Sequence, residues 1–202
     1  MALADFRTVM DVHLMGSVHC TKAVWDIMRE QNYGRIVMTT SSSGLYGNFG
    51  QSNYGSAKAS VIGLMNVLAQ EGRKNEIRVN TLSPTAATRM TEDVIPAEML
   101  ALMTPESITP GLLYLVSEDA PTRTILCAGA GAFALASIVE TKGAYFLENE
   151  RTPEAIAARF AEIADTTGAQ ALESALQQTD KFVNMAAEAK GIRLGTRIDD
   201  PR

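Results

Sequence analysis

The chain has 202 residues, a formal net charge of -5, 46% apolar residues and 20% charged residues. That is the composition of one globular domain or a little more, and it excludes a collagen-like, disulfide-scaffold or wholly disordered protein. The acidic balance argues against a general nucleic-acid or anionic-membrane surface, two distant cysteines (Cys20, Cys127) with only two histidines exclude a structural zinc site, and no apolar run reaches membrane-span length.

The chain opens in a helical pattern, with no strand or glycine-rich turn before it. Phe6, Val9, Met10, Val12 and Leu14 predict a helix over 5–15 that continues past Gly16. Cys20, Ala23, Val24, Ile27 and Met28 then recur at helical offsets and predict one apolar face. Asn32-Tyr33-Gly34 reads as its end, with glycine as the stop. Arg35 to Thr40 is a short, partly β-branched run of the kind buried on both faces of a parallel sheet.

Residues 41–52 are a loop of serines, glycines and one asparagine. A second long helix follows, from about Asn53 to Gly72, with Val61, Leu64, Met65 and Leu68 on one face. Its first half is small-sided (Gly55, Ser56, Ala57, Ala59, Ser60, Gly63), which suits close packing on a sheet, a helix-on-helix subunit interface, or both. Ile77 to Leu82 is the next strand, ended by Pro84, so strand, helix and strand make a βαβ unit with parallel strands. Both strands read as paired on both edges.

Two short helices are predicted near 92–103 and 106–117, then a strand at Thr124 to Ala128. Gly129-Ala130-Gly131 reads as a turn, and residues 133–147 as an extended hairpin. Thr152-Pro153-Glu154 is a helix start, with Thr as cap and Pro at the first helical position, and Ile156, Phe160 and Ile163 form the expected core face. Residues 170–190 read as helical, and the last twelve as a frayed tail.

Three residues stand out by joint spacing. Ser41 follows the first strand, at the carboxyl edge where active-site residues of parallel sheets collect. Tyr54 and Lys58, four apart, share one face at the start of the next helix. An ammonium beside a phenol favours the phenolate, which makes a tyrosine a usable general acid/base. A nearby serine hydroxyl then holds the substrate oxygen. Each residue alone is ordinary; Ser-x12-Tyr-x3-Lys on strand, loop and helix is not.

On these residues, with Val79-Asn80-Thr81-Leu82-Ser83-Pro84 running to Thr88, the chain resembles the short-chain dehydrogenase/reductase family from its fourth helix to its C-terminus. The block from Tyr33 to Tyr54, with Glu71 to Lys74 and Arg89-Met90-Thr91, is similar to the (3R)-hydroxyacyl-CoA dehydrogenase branch, found within peroxisomal multifunctional enzymes and as bacterial single-domain proteins. The resemblance implies an α/β fold: a partial doubly wound, Rossmann-like parallel sheet lacking its N-terminal strands, with a C-terminal helical extension. It implies residues 1–132 as the dehydrogenase part, 133–190 as hairpin and helical extension, and 191–202 as tail.

The resemblance also implies NAD-dependent oxidation of 3-hydroxyacyl-CoA to 3-oxoacyl-CoA. Ser41, Tyr54 and Lys58 are then catalytic, and His13 stands where many members carry an asparagine whose main chain holds a relay water. Tyr54, Lys58, Pro84, Thr85, Ala86 and Thr88 are the implied cofactor contacts, and Ser41, Asn48, Gln51 and Tyr54 the substrate contacts, with loops 44–51 and 85–95 bordering the pocket. The cofactor is NAD, with NADP open, because the discriminating residue lies in a part not seen here. Homo-oligomerisation through helices near 5–31 and 53–72 follows from the same resemblance. No metal, nucleic-acid or membrane partner is expected.

The family's glycine-rich phosphate-binding turn has no counterpart before residue 41, and Gly129-Ala130-Gly131 comes too late to serve. The chain is therefore expected to be the C-terminal two-thirds of a longer enzyme, with an apolar sheet edge and one sheet face bared, poorly soluble or marginally stable by itself, and a weak binder of NAD or none. An NADPH-dependent 3-oxoacyl or steroid reductase and a catalytically silent oligomerisation fragment are the alternatives. Asp200-Pro201-Arg202 is no peroxisomal address, so a cytoplasmic location is expected.

Overall fold

Long apolar-striped segments without internal proline fold first into helix. Leu3–Met10 (α1), a wide π-helical turn at Asp11–Met15 and Gly16–Gln31 (α2) form one helical run, in a computed structural model that describes residues 2–88 and 96–195. The expected positions Arg89, Met90 and Thr91, the rest of loop 85–95 to residue 95, the start of the helix near 92 and the tail beyond 195 lie outside those residues. The described chain divides into two compact units, Met1–Ala136 and Ser137–Arg202.

In the first unit, α2 ends at Asn32, not at glycine. Asn32 takes the left-handed conformation (φ 51), and the Tyr33 N–H donates back to the Met28 carbonyl at 3.2 Å. Gly34 instead opens the first strand, where a Cβ would sit 2.6 Å from the Met28 sulfur. That strand, Gly34–Thr39 (β1), pairs in parallel with Ile77–Thr85 (β2), and β2 with Ile125–Gly129 (β3). Between β1 and β2 come Ser42–Tyr46 (α3) and Ser52–Glu71 (α4), which completes the expected βαβ unit.

Alternating side chains load both faces of the sheet. Val61, Ile62, Met65 and Ala69 of α4 pack on Met38, Ile77, Val79 and Ile125. Ile108 and Leu115 pack on Leu82, Leu126 and Ala128. Val61 and Met65 are essentially fully buried, each contributing about 1.5–3 kcal/mol. Leu115 belongs to Thr109–Leu115 (α6), and the helix expected near 92–103 is seen as Ala97–Leu100 (α5).

With Ala132–Ala136 (β4) beyond β3 the sheet order is β1-β2-β3-β4, so β1 has a neighbour on one edge only among the described residues, the bared apolar edge that the sequence predicts. The apolar face of α2 is exposed for the same reason. Ile27 is 60% exposed, while Val24 and Met28 line a cavity beside β1. The turn at 129–131 is as expected: Ala130 (φ 50) and Gly131 (φ 77) form a tight two-residue connection. The hairpin itself is displaced. Ala132–Ala136 (β4) pairs back antiparallel on β3, and residues 137–147 form no strand.

The second unit is small. Pro153–Ala158 (α7) starts on the Thr152 hydroxyl, which accepts the Ala155 N–H at 3.1 Å, as the sequence predicts. The helix breaks at Arg159 before Phe160–Ile163 (α8). Ile156 (46%) and Phe160 (60%) stay exposed, contrary to the expected core face, because so short a unit has little interior to offer them. Ala175–Ala189 (α9) begins later than the helix expected from 170, on the Ser174 cap, since Gln170 bridges to Glu140. Lys181 pairs with Glu140 at 2.6 Å.

Candidate active site

Parallel pairing brings the carboxyl ends of β1 and β2 to one edge of the sheet. Thr39 pairs with Leu82, and the Thr40 N–H continues the ladder to the Leu82 carbonyl at 2.8 Å. Ser41 therefore leaves the sheet beside Pro84, which does not end β2 as expected: the strand runs on to Thr85, with Pro84 paired to Ala128 of β3. Pro84 is half-buried and Thr85 and Thr88 exposed, while Ala86 packs against the second core cluster.

Helix α4 is clasped onto this edge by two hydrogen bonds that run in opposite directions. The Thr40 hydroxyl donates to the Lys58 carbonyl at 2.8 Å, and the Lys58 ammonium donates to the Thr39 carbonyl at 2.9 Å. The clasp holds Lys58, only 7% exposed, at the end of β1. Burial holds its ammonium below the usual lysine range. One donor is used on Thr39; a lysine ammonium carries three.

Tyr54 lies one turn earlier on α4 and is half-buried. The Lys58 Nζ is 5.7 Å from its ring centroid. On the other side stands His13, from the π-helical turn, with ring centroids 5.3 Å apart and planes at 84°. Burial first, and the Lys58 charge second, hold the His13 imidazole below its usual range, so it is neutral at neutral pH. The His13 carbonyl accepts the Ser17 hydroxyl at 2.9 Å.

Ser41 caps α3: its hydroxyl accepts the Ser43 N–H at 3.2 Å. Two glycines seat α3 on α4. A Cβ on Gly44 would lie 2.8 Å from Lys58 and Ala59 backbone atoms, and one on Gly55 would lie 3.0 Å from the Ser43 carbonyl oxygen. The small first half of α4 thus accepts α3, while Gly63 faces open space. Beyond α3, Gln51 accepts the Ser43 hydroxyl at 2.7 Å, and Asn48 is exposed between Gly47 and Gly50.

The structure brings Tyr54, Lys58 and His13 into mutual proximity, with Ser41 at the adjoining strand end. Asn48 and residues 86–88 belong to loops around that edge, and Pro84 and Thr85 to the end of β2. Sequence reading missed Thr39, Thr40, Ser17 and Gly44. Only Gly44 carried a signal, as a glycine in a loop facing a small-sided helix. His13, Ser17, Thr39 and Lys58 line one cavity of about 560 Å³, which runs along the β1 edge beneath α2. The Lys58 ammonium, with one donor on Thr39, keeps donors for a further hydrogen-bonding group.

Residues 1–98 match the short chain dehydrogenase family. The chain is 44% identical over 171 residues to a short-chain type dehydrogenase/reductase of Mycobacterium tuberculosis, covering 84% of this chain and 59% of that protein. It is 41% identical over 184 residues to peroxisomal multifunctional enzyme type 2 of Mus musculus, covering 90% of this chain and 25% of the relative. The full-length peroxisomal multifunctional enzyme type 2 of Drosophila melanogaster superposes with a TM-score of 0.82 at 34% identity, covering 93% of this chain and 35% of that one. The chain thus spans between a quarter and three-fifths of the length of these relatives. With Lys58 clasped at the strand end and Tyr54 one helical turn before it, the chain is similar in sequence and fold to the short-chain dehydrogenase/reductase family.

Proposed function

We propose that this chain carries the proton-transfer site of an NAD-linked oxidoreductase that converts a 3-hydroxyacyl-CoA to the 3-oxoacyl thioester. The observation that carries the reading is the buried Lys58 clasped at the end of β1 with the Tyr54 ring 5.7 Å away. Tyr54 takes the substrate's hydroxyl proton. Lys58 places positive charge beside the anionic tyrosine oxygen that accepts this proton. Ser41 holds the substrate oxygen in line. The His13 carbonyl, which accepts the Ser17 hydroxyl, offers a second lone pair to a water that would carry the proton away. Asn48 and Gln51 border the thioester.

A nicotinamide dinucleotide, when bound, supplies the hydride acceptor. Tyr54, Lys58, Pro84, Thr85, Ala86 and Thr88 would hold its nicotinamide and ribose end, with NAD as the proposed form. A stripe of exposed small residues on α4 (Ser56, Ala59, Gly63 and Val67) supports a homo-oligomer built through α4 and the α1–α2 run. Two unpaired cysteines support a reducing, cytoplasmic setting. Among the described residues no helix is long and apolar enough to cross a membrane.

The test is NADH formation from a (3R)-hydroxyacyl-CoA by an intact enzyme that includes this chain. Tyr54→Phe is expected to lower kcat by about a hundredfold or more, with the KM for NAD changed far less. Undiminished turnover removes Tyr54 from the chemistry.

A further inference from the structure

The helical run from Leu3 to Gln31 changes partner at the π-helical turn. α1 and the turn pack on α4, whereas α2 packs on β1. A π turn inserts one extra residue, and such insertions gather at functional sites because they re-aim a side chain without breaking the helix. Here the re-aimed side chain is His13, whose ring meets Tyr54 edge-to-face at 5.3 Å and 84°. The Ser17 hydroxyl takes the His13 carbonyl at 2.9 Å and so ties the widened turn to the helix beyond it.

We propose that His13 is a positioning residue that acts through its imidazole ring: the π turn presses it on Tyr54 and holds the phenol in one orientation beside Lys58. This rests on the reading of Tyr54 as the proton acceptor and goes beyond the main-chain role of residue 13. Tyr54 is half-buried, with the His13 ring at 5.3 Å and the Lys58 Nζ at 5.7 Å from its own centroid. Without a facing ring, it is free to swing out of line with Lys58. A neutral imidazole suits the task, since a charged one would set a second cation beside the ammonium. That matches the lowered proton affinity that burial and Lys58 impose on it.

Two readouts test this, on protein labelled with 13C in its tyrosine rings. Tyr54 is assigned by the signal that Tyr54→Phe removes. In His13→Ala, the Tyr54 ring is expected to lose order, and kcat to fall about two- to tenfold, the worth of an aromatic pair of this geometry, at unchanged substrate KM. His13→Phe, which keeps a ring in place, is expected to restore both. An ordered Tyr54 ring in His13→Ala, or failure of His13→Phe to restore ring order and kcat, overturns the proposal. Ring order is read without turnover. Full activity of Tyr54→Phe with a normal His13-dependent ring order therefore marks failure of the functional reading, not of the packing.

Discussion

Replacing Gly44 by alanine tests how the serine is seated against the tyrosine and lysine. The added Cβ would lie 2.8 Å from Ala59 N and from Lys58 C and Cβ, whereas ordinary contact begins at 3.4 Å. Helix α3 must then retreat by at least 3.4 − 2.8 = 0.6 Å. Its opponents are mostly backbone of a helix clasped to β1 at both Thr40 and Lys58, so α4 cannot yield instead. Overpacking of this kind costs about 1–3 kcal/mol, or a Tm lower by about 2–12 °C in a chain of this size. Ser41, the cap of α3, moves with it, and a misplacement approaching 1 Å lowers kcat by about tenfold or more. Thermal melting by circular dichroism reads the first effect and NADH formation the second. An unchanged Tm refutes the seating of α3 on α4. A lowered Tm with unchanged kcat refutes the coupling of that seat to Ser41.

Asn80 is fully buried, donating to the Pro121 carbonyl at 2.7 Å and accepting the Thr124 N–H at 3.0 Å. Asn80→Ala orphans both groups and is expected to cost about 2–4 kcal/mol in urea denaturation; a loss under about 1 kcal/mol contradicts that role. Lys58→Met should abolish turnover and yet raise Tm at neutral pH, because it removes an ammonium whose burial disfavours its charge. The sign follows from proton linkage. Lys58 binds its proton more weakly folded than unfolded, so the unfolded chain holds more protons between the lowered value and the ordinary lysine range near about 10.4. Wild-type stability from this group therefore rises with pH through that window, and the advantage of Lys58→Met should shrink toward alkaline pH. An advantage that grows instead would show that Lys58 is stabilised, not strained, by its site.

Much of the first unit was legible from local pattern. The apolar runs at 35–40 and 77–82 predicted two parallel strands, and Val61, Leu64, Met65 and Leu68 marked the buried face of α4 correctly. The turn at Gly129 to Gly131 needed only its glycines. The candidate site was legible as spacing: Tyr54 and Lys58 four apart on a helix must share a face. Patterns that needed a covering surface misled. Ile156 and Phe160, expected in a core, have helical periodicity but stay exposed, because periodicity says which side chains align and not what lies opposite them.

The sequence by itself determined which residue types stand at which helix and strand positions, and hence the chemistry that Ser41, Tyr54 and Lys58 are able to perform. Only the tertiary structure decided where that chemistry is held. The threonine clasp joins residues 18 and 19 apart in the chain. Gly44 meets Ala59 across two helices, and a π turn aims His13 at Tyr54. Such contacts depend on how whole elements pack. Residue periodicity, which reaches only a turn or two along the chain, does not contain them.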